Sequence, residues 1–148
     1  MDEKKTNILL VEDNPDHAEL ALRMLEKNNQ CCVQIYWVKD GEEALEFVWH
    51  RGRHSASEQA PRPDLILLDI KLPKVGGLEV LRQIKGDERL KAIPVVMLTT
   101  SAREDEVLES YRGGANSFIT KPGKFAEYMR AIEAVKHYWT QVNRPPEE

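Results

Sequence analysis

The chain has 148 residues, which is room for one ordinary domain with a sizeable core and too little for two. With 41% hydrophobic and 31% charged residues it has the make-up of a soluble globular protein, and no apolar stretch reaches the roughly 18 residues of a membrane span. The net charge of −4 argues against a nucleic-acid partner, and the charged start MDEKKTN lacks the apolar segment of a signal peptide, so no membrane partner and a cytoplasmic location are expected.

Residues 8–11, Ile-Leu-Leu-Val, form a short apolar run that reads as a buried strand. Asn14-Pro15 follows as a helix N-cap with proline at the first helical position, opening a helix to about Asn28. Cys31 and Cys32 are neighbours, a poor arrangement for a disulfide, and read as one inward and one outward side chain at the start of a strand over 32–38. Asp40 and Glu43 form a capping-box pair that opens a second helix through Ala44, Leu45, Phe47 and Val48. Residues 51–63 are small, polar and proline-containing, a long surface loop. His17, His50, His54 and His137 show no metal-ligand spacing.

Leu65-Ile66-Leu67-Leu68 is a second buried run, closed by Asp69. Gly76-Gly77 punctuate a turn before a helix through Leu78, Leu81 and Ile84. A strand over 94–98 runs into Thr99, and a helix over about 103–112 ends at Gly113-Gly114. A short strand, Ser117 to Thr120, ends at Lys121-Pro122. The last helix runs from about Lys124 to Val142, with a core stripe of Phe125, Met129, Ile132, Val135, Trp139 and Val142. Strands alternating with helices, several of them continuously apolar, predict an α/β fold with a doubly wound, five-stranded parallel sheet.

Glu12-Asp13, Asp69, Thr99 and Lys121 each follow an apolar run directly. In open parallel sheets ligands bind at the carboxyl ends of the strands, so four segments deliver polar groups to one rim. Three carboxylates brought together repel unless a cation joins them, and their hard oxygens suit Mg²⁺. Lysine binds phosphate as a point cation and a threonine hydroxyl donates one hydrogen bond. The set fits phosphoryl transfer to a carboxylate, with Asp69 the reactive group.

The segments ILLVEDNPD, LILLDIKLPKVGG, PVVMLTTS and GANSFITKP resemble the receiver domain of two-component response regulators, over roughly residues 6–140. The resemblance implies the flavodoxin-like receiver fold with strand order 2-1-3-4-5. It makes Asp69 the phosphoacceptor, with Mg²⁺ held by Glu12, Asp13, Asp69 and the backbone carbonyl of Lys71. It makes Lys121 the partner of a phosphoryl oxygen, Thr99 and Phe118 the switch pair, and the Lys121-Pro122 bond cis. The donor would be a phosphohistidine on a sensor histidine kinase.

Gly123 stands where the family usually carries a bulky apolar residue, and the 51–63 segment is longer than in a minimal receiver. No output domain is expected after about residue 142, so the chain reads as a single stand-alone receiver, residues 1–148 with a core over about 6–142. The long loop, lone receiver and aromatic-rich last helix resemble the small regulators paired with bacterial phytochrome-type kinases. A second stripe on the last helix predicts a homodimer through the last two helices and last strand, with Tyr111, Tyr128, Val135, Tyr138 and Trp139 on its face. The downstream protein is not named by any motif. An aspartate-nucleophile phosphatase is disfavoured, because Lys71 occupies the position where such enzymes need a second acid. A phosphorylation-independent receiver scaffold is disfavoured by the intact acidic, threonine and lysine set.

Overall fold

Strands β1 (Thr6–Val11), β2 (Val33–Val38), β3 (Leu65–Asp69), β4 (Val95–Thr99) and β5 (Ser117–Thr120) alternate with helices α1 (Pro15–Glu26), α2 (Gly41–Trp49), α3 (Gly77–Lys85), α4 (Glu104–Arg112) and α5 (Phe125–His137). The structure is a computed structural model that describes residues 5–27, 33–56, 59–100, 103–121 and 123–145. The readings of Cys31 and Cys32, and of the Lys121-Pro122 bond, fall outside the described residues. All strand pairs are parallel, in the order β2-β1-β3-β4-β5.

Side chains alternate across the sheet with the two-residue strand period. Leu9, Val11, Ile66, Leu68, Val95 and Met97 pack on one side against α2 and α3. Ile8, Leu10, Leu65, Leu67, Val96 and Leu98 pack on the other against α1 and α5. Burial on both sides explains the unbroken apolar runs Ile8–Val11 in β1, Leu65–Leu68 in β3 and Val95–Leu98 in β4.

The helix starts follow their caps. Asn14 Oδ1 accepts from the backbone N–H groups of Asp16 (2.9 Å) and His17 (3.3 Å). Asp40 Oδ1 accepts from Glu43 N at 2.7 Å, but Glu43 Oε1 returns to Lys39 N (3.2 Å), one residue earlier than a standard capping box. The 51–63 segment is less loop-like than its composition. It contains a 3₁₀ turn, Gly52–His54, and sends Ala60 into the core. His50 Nε2 meets Ala60 O at 2.6 Å and His54 Nε2 meets Glu43 Oε2 at 2.9 Å, so the two imidazoles are engaged separately.

The last helix requires a correction. It is α-helical only to His137 and widens into a π turn over Tyr138–Val142. Phe125 (66% exposed) and Val142 (58%) stand outside the core. The buried stripe is Tyr128, Ile132 and Val135, flanked by half-buried Met129 and Trp139. Tyr128 (4% exposed) and Val135 (5%) therefore belong to the core rather than to a free dimer face, whereas Tyr111 (51%) and Tyr138 (47%) are exposed.

Candidate functional site

Strand register gathers the polar residues. Val11 lies opposite Leu68, so Glu12 follows beside Asp69. Asp69 lies opposite Leu98, and Thr99 opposite Thr120, which places Lys121 one step beyond. Backbone bonds hold this rim: Glu12 N donates to Val38 O (3.1 Å), Ile70 N to Leu98 O (3.1 Å) and Lys121 N to Thr99 O (2.7 Å). The Trp37 indole also donates to Glu12 O at 2.8 Å.

Lys121 is the hub. Its buried Nζ donates to Glu12 Oε1 and to Asp69 Oδ2 (3.0 Å), and lies 3.2 Å from His17 Nδ1. Asp69 Oδ1 accepts from Lys71 N at 3.2 Å, and Glu12 Oε2 from Asn14 N at 3.2 Å. Burial pushes the Glu12 carboxyl up to about 7, with the Asp69 charge adding to the rise and the Lys121 contact opposing it. Tyr128 closes the floor, with its ring 6.0 Å from Lys121 Nζ. Burial, then the Glu12 and Asp69 charges, raise the Tyr128 phenol well above its ordinary value.

Glu12, Asp13 and Asp69 each offer a carboxylate oxygen, and these atoms lie within 4.8 Å of one another. Glu12 and Asp69 are buried and Asp13 is exposed, so the cluster has two inner ligands and one at the surface. Three acids against one buried lysine leave an excess of negative charge, and an all-oxygen donor set of this kind fits a hard divalent cation. Thr99 is fully buried at the end of β4, and Phe118 is half-buried against the α2/α3 side of the sheet. Lys71 is exposed beside Asp69.

The rim thus unites Glu12, Asp13, Asp69, Thr99 and Lys121, as their strand-end positions predict. Two further residues were not legible as site residues: His17, read only for metal spacing, and Tyr128, read as surface. The one available signal for His17 is its place three residues after the Asn14 cap, in the helical turn next to the rim.

Residues 8–133 match the family model described as the response regulator receiver domain. The chain belongs to this family. It is 45% identical over 139 residues to a protein of Methanothrix harundinacea named Probable methanogenesis regulatory protein FilR2, covering 94% of this chain and 86% of that one. It is 38% identical over 135 residues to response regulator Rcp1 of Synechocystis sp., covering 91% and 89%. In structure it is similar to the phosphorylated cyanobacterial phytochrome response regulator RcpA, with a TM-score of 0.91 at 37% identity, covering 97% and 100%. The receiver is therefore a two-component response regulator, a signalling protein whose family partners histidine kinases, and its five-stranded sheet is the flavodoxin-like receiver fold.

Proposed function

We propose that Asp69 is the phosphoacceptor of this receiver. The observation that carries this reading is the junction of Asp69, Glu12 and Lys121 through a single buried ammonium at the carboxyl edge of the sheet. An Asp69 carboxylate oxygen attacks phosphorus, the P–N bond of a phosphohistidine breaks, and the imidazole leaves with the electron pair. Lys121 then follows the new charge onto a phosphoryl oxygen. Mg²⁺ would be held by Glu12, Asp13, Asp69 and the backbone carbonyl of Lys71. When bound, it supplies charge neutralisation for the phosphoryl oxygens.

Thr99 and Phe118 form the switch: the hydroxyl turns toward the phosphoryl group and the half-buried ring follows inward. Water attack on the acyl phosphate resets it. The receiver acts in the cytoplasm as a regulator of a phytochrome-type kinase; similarity to RcpA supports that pairing.

Incubation with phosphoramidate and Mg²⁺, followed by intact mass, tests the core of this reading. One hydroxylamine-labile phosphoryl group is expected on the wild type and none on Asp69→Asn. Equal uptake by the two proteins would place the acceptor elsewhere.

A homodimer would form through a narrower surface. Strand β5 is a sheet edge, and a groove of about 580 Å³ runs beside it between Ile119 and Tyr138. Its lining includes Ile119, Ala131, Trp139 and exposed Tyr138, which makes it an apolar face. Sedimentation at tens of micromolar is expected to show a dimer that Tyr138→Glu dissociates. A monomer with and without a phosphoryl mimic would remove this reading.

A further inference from the structure

We propose that His17 is a positioning residue for Lys121 and thereby sets the rate at which Asp69 is phosphorylated. This deepens the reading of Asp69 as phosphoacceptor and rests on it. An ammonium only donates hydrogen bonds, so at 3.2 Å from Lys121 Nζ the Nδ1 atom of His17 is the acceptor. The imidazole is then neutral, with its proton on Nε2. Burial first, and then the adjacent Lys121 charge, hold His17 below its ordinary pKa, in keeping with that tautomer.

The three ammonium protons have three partners: Glu12, Asp69 and His17. Phosphorylation alters one of them. The acylated Asp69 loses its charge, and its oxygens accept hydrogen bonds less well than a free carboxylate. Until Nζ has reached a phosphoryl oxygen, Glu12 is its other strong partner, and without a further anchor the amine would settle on Glu12 and away from the transferring group. His17 supplies a neutral anchor that holds Nζ in reach without competing for it as a third charge would. The anchor is itself fixed. Asn14 caps the His17 backbone N–H at 3.3 Å, and the imidazole packs against the Tyr128 ring at 5.8 Å between centroids.

Side-chain geometry provides the test. The Oδ1 atom of asparagine hangs from Cγ as histidine Nδ1 does, so His17→Asn keeps an acceptor near Lys121 while His17→Leu and His17→Ala remove it. Phosphoryl uptake from phosphoramidate with Mg²⁺ is followed by intact mass, with thermal melts to establish folding. Loss of a hydrogen bond to a charged group predicts uptake about tenfold slower in His17→Leu and His17→Ala. Substantial recovery is expected in His17→Asn. Wild-type rates in His17→Leu, or His17→Asn as slow as His17→Leu, overturn the proposal while leaving Asp69 in place. If His17→Leu does not fold, His17→Ala carries the same comparison. Absence of uptake by the wild type removes the phosphoacceptor reading and this inference with it.

Discussion

Lys121→Met is expected to lower the stability of the metal-free receiver by about 3–5 kcal/mol near pH 8, the cost of breaking a buried ion pair from one side. Lys121 Nζ joins two carboxylates from different strands, Glu12 after β1 and Asp69 at the end of β3. Methionine fills the space but leaves both acids without their cation. The loss depends on pH because Glu12 has a way out. Burial has already pushed its carboxyl up to about 7, and removing Lys121 takes away a contact that opposes the rise. In the variant, folded Glu12 therefore holds a proton that the unfolded chain, with an ordinary carboxyl near 4.5, gives up. Stability linked to that proton is fully present below the unfolded value and is lost as pH climbs toward the folded one. The deficit should be smallest near pH 5 and largest near pH 8. Urea denaturation of both proteins at the two pH values, without divalent cations, measures it. Millimolar Mg²⁺ should return more stability to the variant than it adds to the wild type, because it restores positive charge between the acids. An equal loss at both pH values would show that Glu12 does not respond to Lys121.

The parts of this architecture that were legible in the chain share one physical cause. Strands buried on both sides must be apolar, so polar residues ending Ile8–Val11, Leu65–Leu68 and Val95–Leu98 stand out and mark the polar rim. Tertiary reach obscured the rest. Apolar residues cover more than half of the last helix's circumference, and only tertiary packing decides that Tyr128 is buried while Phe125 and Val142 are not. Ala60 gave no signal either, since a small residue in a polar loop can fill a core gap that no periodicity announces. His17 sits on a helix whose own stripe does not need it, and its role depends on Lys121, 104 positions away.

The pair Gly76-Gly77 gives the second large effect, because sequence marks both residues as turn formers and the fold distinguishes them. A Cβ on Gly77 would lie 2.1 Å from Asp69 O and 2.7 Å from Ile70 Cα, both backbone atoms. Gly77 N also donates to Ile70 O at 2.8 Å, so α3 begins docked against the residue that follows Asp69. A methyl group there must drive the helix start and the end of β3 apart. Gly77→Ala should cost about 3 kcal/mol, at the upper end of the usual overpacking range. It should also displace Asp69 from Lys121 and slow phosphoryl uptake by on the order of 100-fold, as misplacement by about 1 Å can. Gly76 is the contrast. Its backbone is extended (φ −68°, ψ 157°), it caps α3 with no side-chain hydrogen bond, and a Cβ would meet nothing within 4 Å. Gly76→Ser supplies a capping oxygen and a stiffer unfolded chain, so it should raise stability by about 0.5–1 kcal/mol and leave uptake unchanged. Thermal denaturation and the same mass-based uptake assay separate the two. If Gly77→Ala matched Gly76→Ser in both, the close approach of α3 to the end of β3 would not control the site.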